Sequence, residues 1–358
     1  MVPVSLGAGL SGGIAFNSIG IPLPYLLGSL CACALLSLNG WCAQLPRLGL
    51  RFGQMTIGLA LGLYFTADVI GALVGILGWI LFSGVLSLLL SFAGALFLQH
   101  RTGLDANTCF FSAVIGGASD MANQAAHAGG RGDLVALAHT IRVSMVVSIA
   151  PFLAITFSEF GLNRSNSLAI LTTHSLDATA TLQLLLAGIT TALLAQRVRL
   201  PNPWVLGPIL AGGFFALMIQ EGQLSSLLLN LGQVLLGWNL GQRFSMSAIQ
   251  QAPILSLNVA FLTLAYGLLG LGMALLAHWG AGLGWASSFI ATTPGGIAEM
   301  ALTAKLLGLE SPAVTAFHVV RLVIVVISSQ YLISLCLKQG WLVHNPKEIG
   351  KNGEQPSP

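Results

Sequence analysis

Polar residues are sparse along this chain, and they punctuate long apolar runs instead of alternating with apolar ones. In the first half the runs cover about 4–19, 22–38, 48–66, 70–98 and 134–157. In the second they cover about 180–198, 203–219, 227–245, 250–278 and 312–337. Residues 69–98 and 248–277 hold no charge at all. A helix of roughly 20 such residues crosses the hydrocarbon core of a bilayer, so the pattern predicts an all-α polytopic membrane protein. Two units break the pattern, at 106–128 and 285–307. Each is a short apolar piece, a Gly-Gly step and a second short piece. Ten helical residues reach about 15 Å, half the hydrocarbon thickness. Each unit therefore predicts a re-entrant helical hairpin or a helix interrupted at mid-membrane.

One interval, 179 residues, superimposes the two halves. Pro22, Pro24 and Gly28 match Pro201, Pro203 and Gly207. Gly53-Gln54, Gly58, Gly62 and Phe65 match Gly232-Gln233, Gly237, Gly241 and Phe244. Gly116-Gly117, Asp120 and Met121 match Gly295-Gly296, Glu299 and Met300, and His139 and Arg142 match His318 and Arg321. The register holds without a gap over about 120 residues, which reads as a fused duplication. The expected layout is repeat 1 at 1–160, a linker at 161–179, repeat 2 at 180–340 and a cytoplasmic tail at 341–358. His174 and Asp177 fall in that polar linker and read as solvated.

Composition and charge sharpen the picture. Hydrophobic residues make up 55% and Asp, Glu, Lys and Arg only 7%, against about 25% charged in a soluble domain. So little charge cannot coat a water-facing surface, which makes the lipid bilayer a partner. With five crossings per half the second repeat is inverted. A cytoplasmic N-terminus then puts ten cations inside (Arg47, Arg51, Arg101, Arg131, Arg197, Arg199, Arg243, Lys338, Lys347, Lys351) and two outside (Arg164, Lys305), as the positive-inside rule asks. This predicts a bacterial inner-membrane protein with both termini cytoplasmic. The first apolar run follows Met1 without a basic n-region or a small-residue cleavage site. Insertion itself then serves as targeting, and the true start is open to an upstream extension. The net charge of +3 is scattered, so no direct nucleic-acid binding is expected.

The candidate chemistry sits in the broken units and the helices after them. Irregular backbone at membrane depth is tolerated only against protein or water, and paired breaks point to a transport site. Gly116, Gly117, Ser119, Gly295 and Gly296 are therefore candidate solute- or ion-binding residues, with the positive end of each restarted helix aimed at the break. Close helix packing through small residues is the competing reading. Asp120 and Glu299 are intramembrane acids, costly and usually functional. They would bind Na⁺ or carry H⁺, or else pair with Arg142 and Arg321, 22 residues on. His139/Arg142 and His318/Arg321 are each three apart and share a helix face. Arg suits an anion and His a proton; alternatively Arg is locked to the acid and His caps a carbonyl. Gln54 and Gln233 could hydrogen-bond across helices or line a pore, with packing the favoured reading. Cys31, Cys33, Cys42, Cys109 and Cys336 form no CxxC, and the seven histidines form no HxxxH or HExxH, so no metal and no cofactor is expected.

These motifs together (PxPxLLG helix starts, GQxxxG spans, the GGxSDM and PGGxAEM breaks and the HxxR helices) resemble the AbrB-duplication family of bacterial inner-membrane proteins. The resemblance covers nearly the whole chain. Some members carry an ammonia monooxygenase label and the namesake is described as a regulator of gene expression. No DNA-binding motif accompanies it. The leading expectation is an ion-coupled secondary transporter of a small solute, anions included, with H⁺ or Na⁺ as coupling ion. The alternatives are a membrane protein that regulates gene expression indirectly and, remotely, a membrane monooxygenase; no enzyme activity is expected. Homo-oligomerisation is left open.

Overall fold

A computed structural model of the chain describes residues 1–159, 175–244, 250 and 252–342. Among them the fold is entirely helical, with one isolated backbone bridge, between Ser175 and Gln223. The first series of helices is α1 (Val2–Ile19), α2 (Pro24–Leu38), α3 (Arg47–Gly62), α4 (Ala67–Gly75), α5 (Leu77–Thr102), α6 (Ala106–Ala113), α7 (Ala118–His127) and α8 (Gly132–Glu159). The second is α9 (Ala178–Arg197), α10 (Pro203–Met218), α11 (Ser226–Gly241), α12 (Pro253–Ala281), α13 (Trp285–Thr292), α14 (Ile297–Leu306) and α15 (Ser311–Lys338). Six of them, α1, α5, α8, α9, α12 and α15, are long and apolar enough to cross a membrane. The 8-residue α6 and α13 and the 10-residue α7 and α14 are the predicted half-length pieces.

Some boundaries differ from the hydropathy reading. The run at 70–98 is divided between α4 and α5, which starts afresh after Ile76, and α4 itself is bent by 84° from α3. Gly71, Gly75 and Gly78 flank the break at Ile76, and each glycine lowers helix propensity by about 1 kcal/mol. The sequence interval matching α4 in the second half falls mostly outside the described residues. Helix α9 begins at Ala178, inside the expected linker, with the Asp177 carboxylate accepting from the Ala180 amide at 2.7 Å as a cap. His174 and the tail from 343 lie outside the described residues, and Leu342 is buried.

Element bounds recur at the interval of 179: α3 maps onto α11, α6 onto α13, α7 onto α14 and α8 onto α15. Contacts recur with them. Helix α2 packs on α11 and α3 on α10, while α5 packs on α15 and α8 on α12, so each series grips the other. The α3–α10 and α2–α11 crossings are close because glycine removes the side chain between backbones. A Cβ on Gly62 would strike the Ile209 carbonyl and Gly212, and one on Gly237 would strike the Leu26 carbonyl. Large apolar side chains such as Leu89, Leu193 and Leu257 point outward, which suits a lipid-facing surface.

Candidate functional site

Each half-length helix ends with carbonyls that have no intrahelical partner. At the end of α6 the side chains of α8 supply the donors. His139 Nε2 lies 2.9 Å from the Phe111 carbonyl, and the Arg142 guanidinium donates to the carbonyls of Ser112, Ala113 and Val114 at 3.3, 3.2 and 2.7 Å. Arg142 also lies 2.7 Å from His139 Nδ1. A guanidinium only donates, so Nδ1 is the acceptor and the imidazole proton sits on Nε2, facing the carbonyl. The second series repeats the arrangement. His318 Nε2 meets the Ile290 carbonyl at 2.9 Å, Arg321 donates to Thr293 and Gly295 at 2.9 Å, and Arg321 meets His318 Nδ1 at 2.7 Å. A cation at a helix C-terminus is favoured by the helix dipole. The HxxR pair is thus a carbonyl clamp on the preceding half-helix. The alternative of an Arg–acid lock is not what forms: among the described residues the ion pair is Arg131–Asp133, at 2.8 Å and solvent-exposed.

The Gly-Gly steps are explained by what folds back over them. Gly117 and Gly296 are the N-caps of α7 and α14, and Asp120 and Glu299 are the third residues of those helices. The Asp120 carboxylate lies 2.7 Å from where a Gly117 Cβ would project, and the Glu299 carboxylate crowds the same place on Gly296. Met121 and Met300 pack in the same way on Gly116 and Gly295. The first glycine of each pair makes room for the methionine, the second for the acid. Each carboxylate consequently occupies the positive helix end that the sequence reading reserved for a bound anion.

Both breaks open into one cavity of about 340 Å³. Gly116, Gly117, Ser119, Asp120 and His139 line it from one series, and Gly295, Gly296, Glu299, His318 and Arg321 from the other. Arg142, only 2% exposed, is the one predicted site residue outside the lining. Gln54 also lines the cavity, its Nε2 donating to Asn202 Oδ1 at 3.4 Å. Gln233, its counterpart, is buried against Asn230 instead.

Further lining residues were not singled out by the sequence. Arg47 and Arg51 enter from the first turns of α3, Asn202 and Trp204 from the start of α10, and Asn239 and Arg243 from the end of α11. Asn202 takes a left-handed φ of 46° that turns the chain into α10, and the Arg51 guanidinium lies 4.9 Å over the Trp204 ring. The signal that would have found them is mismatch between the copies. Arg47, Arg51 and Arg243 correspond to Ser226, Asn230 and Tyr64. Tyr64 is itself buried, and Lys305 Nζ lies 4.9 Å over its ring. No group of three or more His, Cys, Asp or Glu among the described residues is placed to hold a metal ion.

The chain was compared with known proteins. The sequence model of a family described as "Transition state regulatory protein AbrB" matches residues 4–336. The uncharacterised protein YhjN of Bacillus subtilis (strain 168) is 26% identical over 345 residues, covering 88% of each chain. A protein of Escherichia coli (strain K12) bearing the regulator designation AbrB is 26% identical over 324 residues, 86% of this chain and 88% of its own length. With the match running through both broken units and both His/Arg clamps, the chain belongs to the AbrB family.

Proposed function

We propose that the protein is an ion-coupled secondary transporter of a small solute, built from two inverted repeats in the bacterial inner membrane. The observation that carries this reading is the shared cavity: the two Gly-Gly breaks, each with its acid, face one open-mouthed space. A volume of about 340 Å³ lies at the small end of ligand pockets, roughly 300–1,000 Å³. Paired interruptions meeting at a common polar centre are the arrangement expected where two repeats rock about a fixed site. Asp120 and Glu299 are the coupling groups in this scheme. Each is held at a helix start, where its negative charge is stabilised, yet faces the cavity, where H⁺ or Na⁺ reaches it. Neutralising them lowers the repulsion toward an anionic solute. The His/Arg clamps hold the half-helix ends that shape the site.

Inversion is supported by the positive-inside count and by an odd number of crossings per half, with the broken units not crossing. The cavity mouth, at the N-terminal ends of α3 and α10 and the C-terminal end of α11, then faces the cytoplasm. Topology reporters fused after Gly103 and after its counterpart Gly282 should report opposite faces, inside and outside respectively. Finding both on one face excludes inversion.

The functional test is solute flux. In proteoliposomes made from the full chain, efflux and uptake of a mixed pool of labelled small metabolites should depend on an imposed H⁺ or Na⁺ gradient. Asp120→Asn and Glu299→Gln should each lower gradient-driven flux by about tenfold or more, the cost of losing one intramembrane charge of roughly 1.4 kcal/mol or above. Flux that is unchanged in both variants removes the acids from coupling. Absence of any flux above empty liposomes removes transport itself.

A further inference from the structure

The cavity is chemically one-sided, and that asymmetry names what it takes. Three of its arginines, Arg47, Arg51 and Arg243, line it from the start of α3 and just past the end of α11, together with Gln54, Asn202 and Trp204. Among the described residues none of the three arginines has a carboxylate within ion-pair distance. The Arg51 guanidinium carbon lies 4.9 Å over the Trp204 ring, a cation–π contact that holds the side chain against the cavity wall. Glu299 lies within electrostatic range of Arg243 without pairing to it. Two acids, Asp120 and Glu299, thus face four guanidinium groups once Arg321 is included, so the space carries excess positive charge with both acids ionised. The equivalent positions in the other repeat are Ser226, Asn230 and Tyr64, which carry no charge at neutral pH. The positive mouth is therefore a feature of one face and not a by-product of the duplication.

We propose that Arg47, Arg51 and Arg243 form an anion site at the cavity mouth, and that its ligand is a small oxyanion, a carboxylate or a phosphate. The proposal supplies a substrate class for the transport reading and rests on it for its purpose. The clamp arginines are not the anion site: Arg142 is fully committed to carbonyls, and Arg321 spends three of its bonds on Thr293, Gly295 and His318. Among the described residues the mouth arginines carry no such bonds. A bidentate guanidinium–oxyanion contact is charge-assisted and geometrically specific.

The test is equilibrium binding to the purified full chain in detergent, read as a shift in thermal unfolding, since a ligand of the native state raises apparent stability with concentration. The probes are sodium malonate and sodium phosphate, with sodium chloride at equal ionic strength and neutral malonamide as controls. A saturable upward shift is expected with at least one oxyanion, at an apparent Kd at least about tenfold below that of chloride, and none with malonamide. Arg51→Gln and Arg243→Gln should each weaken it by about tenfold or more, the loss of one charge-assisted contact. Arg47→Gln, at the exposed rim, serves where an inner substitution fails to fold, and a severalfold weakening is expected there. A response to malonate alone identifies a carboxylate site and a response to phosphate alone a phosphate site. Shifts no greater than chloride's, or variants that keep the wild-type affinity, overturn the proposal. Because binding is measured without transport, a chain that moves solute yet fails this test loses the oxyanion site and keeps the transport reading; one that binds oxyanions but shows no flux does the reverse.

Discussion

Replacing Arg142 by alanine is expected to unlock the first broken unit and to be among the most damaging single changes in the protein. The guanidinium is 2% exposed and holds the carbonyls of Ser112, Ala113 and Val114 together with His139. Tyr266 shares the load on Ala113, its hydroxyl donating at 3.2 Å, so that one carbonyl keeps a partner. The others lose theirs where water has little access. A buried polar group left unpaired costs roughly 1–3 kcal/mol, and several at once should cost more than about 3 kcal/mol. Arg142→Lys should recover part of this, because an ammonium still donates but cannot span three carbonyls. Arg321→Ala should be milder, since that side chain makes two carbonyl contacts and borders the cavity. Thermal unfolding of the purified variants in detergent gives the ranking; an Arg142→Ala protein as stable as wild type would show that the clamp contributes nothing to the fold.

The second large effect is expected at the crossings between the two series. Gly62→Leu drives a side chain into the Ile209 carbonyl and Gly212, and Gly237→Leu into the Leu26 carbonyl. The obstacle in both cases is backbone, which has no alternative rotamer, so the helices must separate. Overpacking ordinarily costs 1–3 kcal/mol. Here at least about 3 kcal/mol is expected, because loss of close approach also forfeits the dispersion contacts that hold helices together in lipid. Gly267 is the control, since a Cβ there meets nothing within 4 Å and Gly267→Leu should be tolerated. Detergent-solubilised yield and resistance to proteolysis separate the cases. Equal behaviour of Gly62→Leu and Gly267→Leu would mean that the crossing glycines are not close-packed in the membrane.

The legibility of this chain in its sequence was uneven, for identifiable reasons. The broken units at 106–128 and 285–307 stood out because each apolar piece is too short to cross the bilayer and a permissive Gly-Gly step separates the two, and α6, α7, α13 and α14 lie there. The spacing of His139 and Arg142 disclosed a shared face but not its target. Helical periodicity says nothing about what lies opposite, so a bound anion and a nearby acid stood as the two partners for the arginine. The orphan carbonyls of a half-helix were a readable clue to the real one. Arg47, Arg51 and Arg243 were counted only toward orientation, because a lone cation at the end of an apolar run looks the same whether it meets water or turns into a cavity. The break between α4 and α5 was hidden for the opposite reason: both sides of Ile76 are uniformly apolar, so hydropathy has no edge to detect.

The stacking of Lys305 on Tyr64 has a thermodynamic implication for a machine made of two copies. Perfectly matched halves would render the two facings degenerate, leaving only the membrane gradient to choose between them. Lys305 answers to Ala126 in the other copy and Tyr64 to Arg243, so this contact has no mirror image. Its worth, about 0.5–2 kcal/mol for a cation over an aromatic ring, skews a two-state population by roughly 2- to 30-fold. Under the proposed transport by two rocking repeats, and with this contact made in only one of the two states, divergence at a handful of positions would set the idle posture of the protein before any solute arrives.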